Sequence, residues 1–93
     1  MYELIPTTRF KKDLKKIKTK GTDFNLTREV LQKLQANGVK EIPASMRPHK
    51  LKGKYSDNWE CHIKPDLLII WFQIEEGMTI KLIRIGTHSE LFK

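Results

Sequence analysis

Four residues that can move protons lie in the second half of the chain: His49, His62, Asp66 and His88. An imidazole titrates near neutral pH, so it can act as a base or as an acid. Cleaving RNA needs both, because one group removes the proton of the 2′-hydroxyl and another protonates the departing 5′-oxygen. These residue types therefore suit RNA cleavage without a metal, with the substrate's own hydroxyl as nucleophile. Asp66 would serve as a second base or orient a histidine.

Alternation along the chain predicts that these side chains share a surface. In the strand predicted for residues 59–64, Glu60 and His62 lie on one face. Arg84 suits a phosphate, because its planar guanidinium donates two parallel hydrogen bonds. Parity and chain order predict one open sheet face that gathers His49, Glu60, His62, Arg84 and His88, with Asp66 at a turn on its edge.

The first half of the chain predicts a short edge strand over residues 2–5 and then two helices. Apolar residues recur there at spacings of three and four, which is typical of one helix face. Threonine, glycine and asparagine mark the ends by their capping chemistry. The predicted bounds are Thr7 or Thr8 to Gly21 for the first helix, and Thr22 or Asp23 to Asn37-Gly38 for the second.

The second half changes to a period of two. It predicts a short strand starting at His49 and further strands over residues 59–64, 67–74 and 78–85, after a loop over residues 39–48. Together these elements predict an α+β fold: a strand, a helical hairpin and an antiparallel meander, with the helices on one sheet face. We expect the helices to cover the face that bears Cys61.

Positive charge is concentrated in the first half of the chain. The formal net charge is +7, and residues 1–54 hold 14 of the 18 Lys and Arg but only 5 of the 11 Asp and Glu. Such a field attracts polyanions, chiefly nucleic acid, or an acidic protein partner. A lysine-rich helix that only keeps the protein in solution explains the same pattern.

The 93 residues predict a single domain. Cys61 is the only cysteine, so no internal disulfide can form, which fits a reducing cytoplasm. The first residues do not resemble a secretory signal, and the longest apolar run, residues 67–72, is too short to span a bilayer. We therefore expect a cytoplasmic protein without a membrane segment.

Structural explanations exist for the same residues. Asp66 could be a turn residue, and Arg84 could pair with a carboxylate such as Glu60 across the sheet. The histidines and Cys61 could suggest zinc, but Cys61 and His62 point to opposite faces, and no CxxC or HxxxH spacing occurs. The residues alone indicate a basic α+β domain that binds RNA, with catalysis left open.

Three segments, in this order and spacing, resemble the YafQ branch of the RelE/ParE toxin superfamily: residues 49–53, 60–66 and 86–92. The resemblance is specific over residues 47–92 and rests on element order over residues 1–40. It implies a RelE-like fold and a toxin of a type II toxin–antitoxin pair. Such toxins are metal-independent endoribonucleases that cut mRNA on the ribosome, and an acidic antitoxin neutralises them.

The resemblance also implies roles for individual residues. His88 matches the principal catalytic histidine, the general acid, and Asp66 matches an aspartate that is a candidate base. The remaining matches are His49 and His62 as further active-site histidines, Arg84 at a phosphate-binding position, Glu60 where the best-known member has aspartate, Phe92 as a substrate-holding aromatic, and Lys50 and Lys52 among the substrate-binding residues.

Two other functions compete with the nuclease. A ParE-like toxin of the same fold would inhibit DNA gyrase and cleave nothing, although an inhibitor needs no acid–base groups. A non-catalytic module would use the lysine-rich helix to bind ribosomal RNA.

Overall fold

The computed structural model describes residues 1–92, and these residues form the predicted α+β fold. The elements are β1 (Glu3–Pro6), α1 (Thr8–Lys18), α2 (Gly21–Asn37), β2 (His49–Lys50), β3 (Trp59–Lys64), β4 (Leu67–Ile74), β5 (Thr79–Gly86) and α3 (His88–Leu91). The five strands make one sheet in the order β1-β5-β4-β3-β2, and α1 and α2 pack on one of its faces.

The meander is confirmed, since β2 to β5 pair antiparallel in sequence order. β1 lies at the sheet edge, as predicted, and it pairs parallel with β5, which the sequence did not indicate. The helical hairpin between β1 and the meander supplies the crossover that a parallel pair needs. Pro6 is tolerated because it ends an edge strand.

The predicted boundaries of α1 and α2 agree with the structure to within two residues, except at the end of α1. The hydroxyl of Thr7 accepts a hydrogen bond from the N–H of Phe10, which confirms the predicted cap of α1. The prediction that Gly21 ends α1 is wrong, because Gly21 is the first residue of α2. Thr19 ends α1 instead: its hydroxyl donates to the carbonyl oxygen of Lys16 at 2.8 Å. Gly38 ends α2 at a φ of 64°, as predicted.

Two hydrophobic clusters lie on opposite faces of the sheet. The main cluster fills the space under α1 and α2 and includes Cys61 and the fully buried Trp71. A second cluster on the other face consists of Tyr55, Leu68, Ile70 and Leu91. That face is therefore only partly open, because α3 and a 3₁₀ turn over residues 53–55 cover part of it.

The loop predicted after α2 contains two 3₁₀ turns, Gly38–Glu41 and Ala44–Met46. Within residues 1–92, no helix is both long enough and apolar enough to cross a membrane.

We expect Gly38→Ala to lower the free energy of unfolding by about 1–3 kcal/mol, because its backbone (φ 64°, ψ −150°) is open essentially to glycine alone. An added Cβ would also lie 2.7 Å from the side-chain nitrogen of Gln73. Urea denaturation measures the change. Gly21→Ala is the matched control, because that Cβ meets nothing within 4 Å. Equal stability of both variants would contradict this account of Gly38.

Candidate active site

The strand register gathers the predicted positions on the face away from α1 and α2. His49 pairs with Glu60 across β2 and β3, and His62 lies two positions along β3 on the same face. His62 pairs with Leu68 of β4, and Leu68 pairs with Gly86 of β5. Two residues after Gly86, α3 begins with His88. Alternation therefore predicted correctly that His49, Glu60 and His62 share a face, and the register between strands shows which residues are neighbours on it.

Glu60 is the buried centre of this group, with 4% of its surface exposed. Its Oε1 lies 3.2 Å from Nε2 of His49 and 3.9 Å from Nε2 of His62. Its Oε2 is buried without a hydrogen-bond partner among residues 1–92. The prediction of an open face is wrong at this position, because the second cluster covers the sheet at Ile70, the register neighbour of Glu60.

Backbone carbonyls determine which nitrogen of each imidazole carries a hydrogen. Nδ1 of His49 lies 2.7 Å from the carbonyl oxygen of Arg47, and Nδ1 of His62 lies 3.4 Å from the carbonyl oxygen of Pro65. A carbonyl oxygen only accepts, so we assign the hydrogen to Nδ1 and direct Nε2 toward Glu60. At 3.2 Å, Nε2 of His49 is within hydrogen-bonding distance of Oε1 of Glu60. His62 makes longer contacts on both sides, so its Nε2 is freer to accept a proton.

Asp66 holds the backbone that carries His88. Its Oδ1 accepts the N–H of His88 at 2.9 Å. A capping box starts α3: the hydroxyl of Thr87 accepts from the N–H of Glu90, and the carboxylate of Glu90 accepts from the N–H of Thr87, which lowers the pKa of Glu90. The exposed ring of His88 has its centroid 4.9 Å from that of Phe92. Asp66 thus orients the segment that presents the imidazole.

Arg84 is buried, and its guanidinium binds Asp13 of α1. Its Nε and Nη2 donate to the two carboxylate oxygens at 2.7 and 3.2 Å, and the N–H of Ile85 donates to the same group at 3.1 Å. The hydrogen bonds to Asp13 raise the pKa of Arg84. The alternative of a carboxylate partner is therefore realised, with Asp13 in place of Glu60. A phosphate contact of Arg84 stays a prediction.

Lysines border the β2 edge of the site. Lys50 and Lys52 are exposed, and Nζ of Lys50 lies 5.6 Å from the ring centroid of Trp59, within cation–π distance. Lys54, which the sequence did not single out, lies 5.5 Å from the ring centroid of Tyr55. Because Trp59 packs against the main cluster, the Lys50 side chain lies on the sheet face opposite His49, whereas Lys54 lies beside the second cluster.

Sequence reasoning missed two residues that shape the site. Tyr55 donates its hydroxyl hydrogen to the carbonyl oxygen of Leu91 at 3.3 Å and meets the ring of Phe92 edge-on, at 5.7 Å between centroids. It lies in a 3₁₀ turn, so no periodic pattern marked it. Asp13 did leave a signal, because it is an acidic residue within the apolar stripe of a lysine-rich helix.

Cys61 lies on the opposite face of β3 from the histidines, as predicted, and it is fully buried. Burial raises the pKa of its thiol to about 12, with a smaller contribution from the charge of Glu60. Among residues 1–92, no group of three or more His, Cys, Asp or Glu is arranged to hold a metal ion.

A family model matches nearly the whole chain, and a solved structure of substantial identity covers it. The profile of a family described as "Bacterial toxin of type II toxin-antitoxin system, YafQ" matches residues 2–93. A metal-bound toxin from Helicobacter pylori is 36% identical, with a TM-score of 0.85 over 99% of this chain and 100% of that one. By sequence, none of the curated proteins compared matches significantly.

Two Escherichia coli structures share the fold. YafQ from strain BL21(DE3) is 22% identical, with a TM-score of 0.88 and all of both chains covered. The DinJ-YafQ complex contains a chain that is 24% identical, with a TM-score of 0.84 and the same coverage.

We expect Asp13→Asn to lower the free energy of unfolding by about 3–5 kcal/mol, because it leaves the buried guanidinium of Arg84 without its counter-charge. Thermal or urea unfolding measures the loss. Asp23→Ala is the control, since its ion pair with Lys64 is more exposed and contributes about 0–1 kcal/mol. If the two variants lost the same stability, the buried pair would not have the role assigned to it.

Proposed function

The chain belongs to the YafQ family of bacterial type II toxins, and we propose that it is a ribosome-dependent endoribonuclease that cuts mRNA. The 2′-hydroxyl of one nucleotide attacks the adjacent phosphorus, and the bond to the 5′-oxygen of the next nucleotide breaks. The products are a 2′,3′-cyclic phosphate and a free 5′-hydroxyl. The reaction uses no metal, because proton transfer by histidines activates the substrate's own hydroxyl.

One observation carries the proposal: two imidazoles meet a buried carboxylate on the sheet face that leads to a third imidazole. His49 and His62 converge on Oε1 of Glu60, and α3 presents His88 from the end of the neighbouring row. A structural hydrogen-bond network needs no such concentration of groups that titrate near neutral pH. A gyrase inhibitor would have no use for it either.

We assign the roles from the contacts of each side chain. His88 is the general acid, because its ring is exposed and its nitrogens make no hydrogen bond within residues 1–92. His62 is the general base, since its Nε2 is the less tightly held of the two that face Glu60. His49 is held at both ring nitrogens, by the carbonyl oxygen of Arg47 and by Glu60, so it keeps the carboxylate of Glu60 in place beside His62.

Asp66 and Phe92 act on the position of the reacting groups. Asp66 is a positioning residue in this proposal, because its carboxylate holds the backbone N–H of His88 and so fixes where the acid lies. Phe92 is 38% exposed beside that imidazole, and a base of the mRNA can stack on its ring.

The exposed lysines face the two polyanions of this function. The lysine-rich outer face of α1 binds ribosomal RNA, and Lys50 and Lys52 contact mRNA phosphates at the border of the site. We further propose that a cognate acidic antitoxin neutralises the toxin. The structure of the DinJ-YafQ complex supports this, because it places a chain of the same fold with a partner protein.

A bridging sulfur substrate tests the general acid directly. We expect His88→Ala to slow cleavage of normal mRNA on programmed ribosomes by about 10²–10⁴-fold, the usual contribution of a general acid. With sulfur in place of the 5′-oxygen at the cleaved bond, the leaving thiolate needs no proton, so His88→Ala should approach the wild-type rate. Single-turnover cleavage measures both rates.

His62→Ala is the matched control in that experiment. A better leaving group does not help to remove the proton of the 2′-hydroxyl. The variant without the base should therefore remain slow on the sulfur substrate. Rescue of both variants, or of neither, would remove His88 from the role of acid.

We also expect the 3′ ends of the products to carry a 2′,3′-cyclic phosphate, which mass spectrometry detects. The cleavage rate, measured by primer extension, should be unchanged in EDTA when the free magnesium concentration is adjusted to keep the ribosome intact. Intact mRNA in cells that the wild type arrests would refute the nuclease and direct attention to gyrase.

A further inference from the structure

A groove opens beside the proposed general base, at the outer edge of β3. β2 pairs with β3 only as far as Glu60, so within the described part of the chain no strand lies beside residues 61–64 on that side. The 3₁₀ turn Ala44–Met46 and the turn after β3 border the groove instead, and its volume is about 510 Å³. We call it the β3 groove and define it by the residues that line it, 45–47 and 62–65. Small-ligand sites usually have roughly 300–1,000 Å³, so the groove can hold a nucleobase.

His62 belongs both to the β3 groove and to the catalytic group. Its Nε2 faces Glu60 at 3.9 Å, whereas its Nδ1 lies 3.4 Å from the carbonyl oxygen of Pro65 in the groove wall. A base that takes the proton of the 2′-hydroxyl lies beside the nucleotide on the 5′ side of the cut. Phe92 lies instead beside His88, the acid that protonates the oxygen of the nucleotide on the 3′ side. The β3 groove is therefore placed to receive the base of the attacking nucleotide.

Arg47 is the cation of the β3 groove that is available to a ligand. The register of β2 and β3, continued by two residues, places Arg47 opposite His62, where its left-handed backbone (φ 54°) interrupts the strand. Arg47 is exposed and makes no ion pair within residues 1–92, whereas Lys64 is bound to Asp23 at 2.8 Å. The carbonyl oxygen of Arg47 lies 2.7 Å from Nδ1 of His49, which ties this segment to the catalytic group.

The donors of the β3 groove select one base. A guanidinium only donates hydrogen bonds, and guanine offers two adjacent acceptors, O6 and N7, on one edge. Adenine and cytosine present an amino group on that edge, which needs an acceptor such as a carboxylate or an amide, and uracil presents a single acceptor there. Among the residues that line the groove there is no Asp, Glu, Asn or Gln. Met46 and Pro65 add apolar surface against which a planar base can pack.

We propose that the β3 groove binds the base of the nucleotide whose 2′-hydroxyl attacks, and that Arg47 makes the toxin prefer guanine at that position. This inference rests on the proposed function, because it needs mRNA that is cut beside His62. Arg47 is a specificity-determining residue in this proposal: its guanidinium donates to O6 and N7 of the base and takes no part in proton transfer.

Four mRNAs that differ only in the nucleotide on the 5′ side of a mapped cut test this proposal on programmed ribosomes. We expect the wild type to cut after guanine about tenfold or more faster than after adenine, because the bidentate pair has no counterpart in adenine. Arg47→Lys keeps the charge but loses the planar fork, so it should cut all four mRNAs at similar rates. Single-turnover cleavage measures these rates.

A modified base tests the contact itself. In 7-deazaguanine a C–H group replaces the acceptor N7, so this base at the same position should slow the wild type several-fold and leave the rate of Arg47→Lys unchanged. Arg28→Lys is the matched control, because it makes the same change at an exposed position of α2. It should keep the rates and the preference of the wild type.

Four results would contradict the proposal. Equal rates of the wild type after all four bases would overturn the preference and leave the nuclease proposal standing. A wild-type preference retained by Arg47→Lys would remove Arg47 from base recognition. An equal loss of rate by Arg47→Ala on every base, restored by Arg47→Lys, would assign the side chain to a phosphate instead. If the wild type cut none of the four mRNAs, the nuclease proposal would fall and this inference with it.

Discussion

The carboxylate of Asp13 takes the place of a neighbouring strand along the part of β5 that extends beyond the end of β1. β1 ends opposite Leu82, so the outer edge of β5 beyond that residue has no strand beside it. Asp13 accepts the N–H of Ile85 there and also binds the guanidinium of Arg84. Three hydrogen bonds to this carboxylate hold α1 on the sheet, and two of them pair the buried charge of Arg84 with an opposite charge. The end of β5, and hence the start of α3, is fixed by this contact.

The active-site side chains lie at the margin of the smaller of two cores. The main core fixes the sheet, but the second cluster under α3 sets where His88 and Phe92 lie. Four residues form that cluster, and Tyr55 reaches it from a 3₁₀ turn with one hydrogen bond to α3. A site supported by few contacts can adjust when a large substrate arrives, at the cost of less exact placement in the free protein.

The sequence predicted the sheet better than the site. The sequence predicted the bounds of β3 and β4 as the structure has them, because a period of two marks β3 and turn residues flank the apolar run of β4 on both sides. The burial of Glu60 could not be predicted, since it depends on a turn and a short helix that pack on the same face. Gly21 misled for a local reason, because two residues suffice to join α1 to α2 and a hydroxyl ends α1.

The parallel pairing of β1 with β5 sets the order in which the protein can be completed during synthesis. A ribosome makes β1 before the other elements of this domain, yet β1 pairs with β5, the last strand of the meander. Until β5 exists, β1 has no strand to pair with, and Asp13 of α1 lacks the N–H of Ile85 that it accepts. Contacts between such distant segments close late and slow the folding of a domain. A nascent chain therefore contains neither a closed core nor an assembled catalytic edge until translation has passed β5.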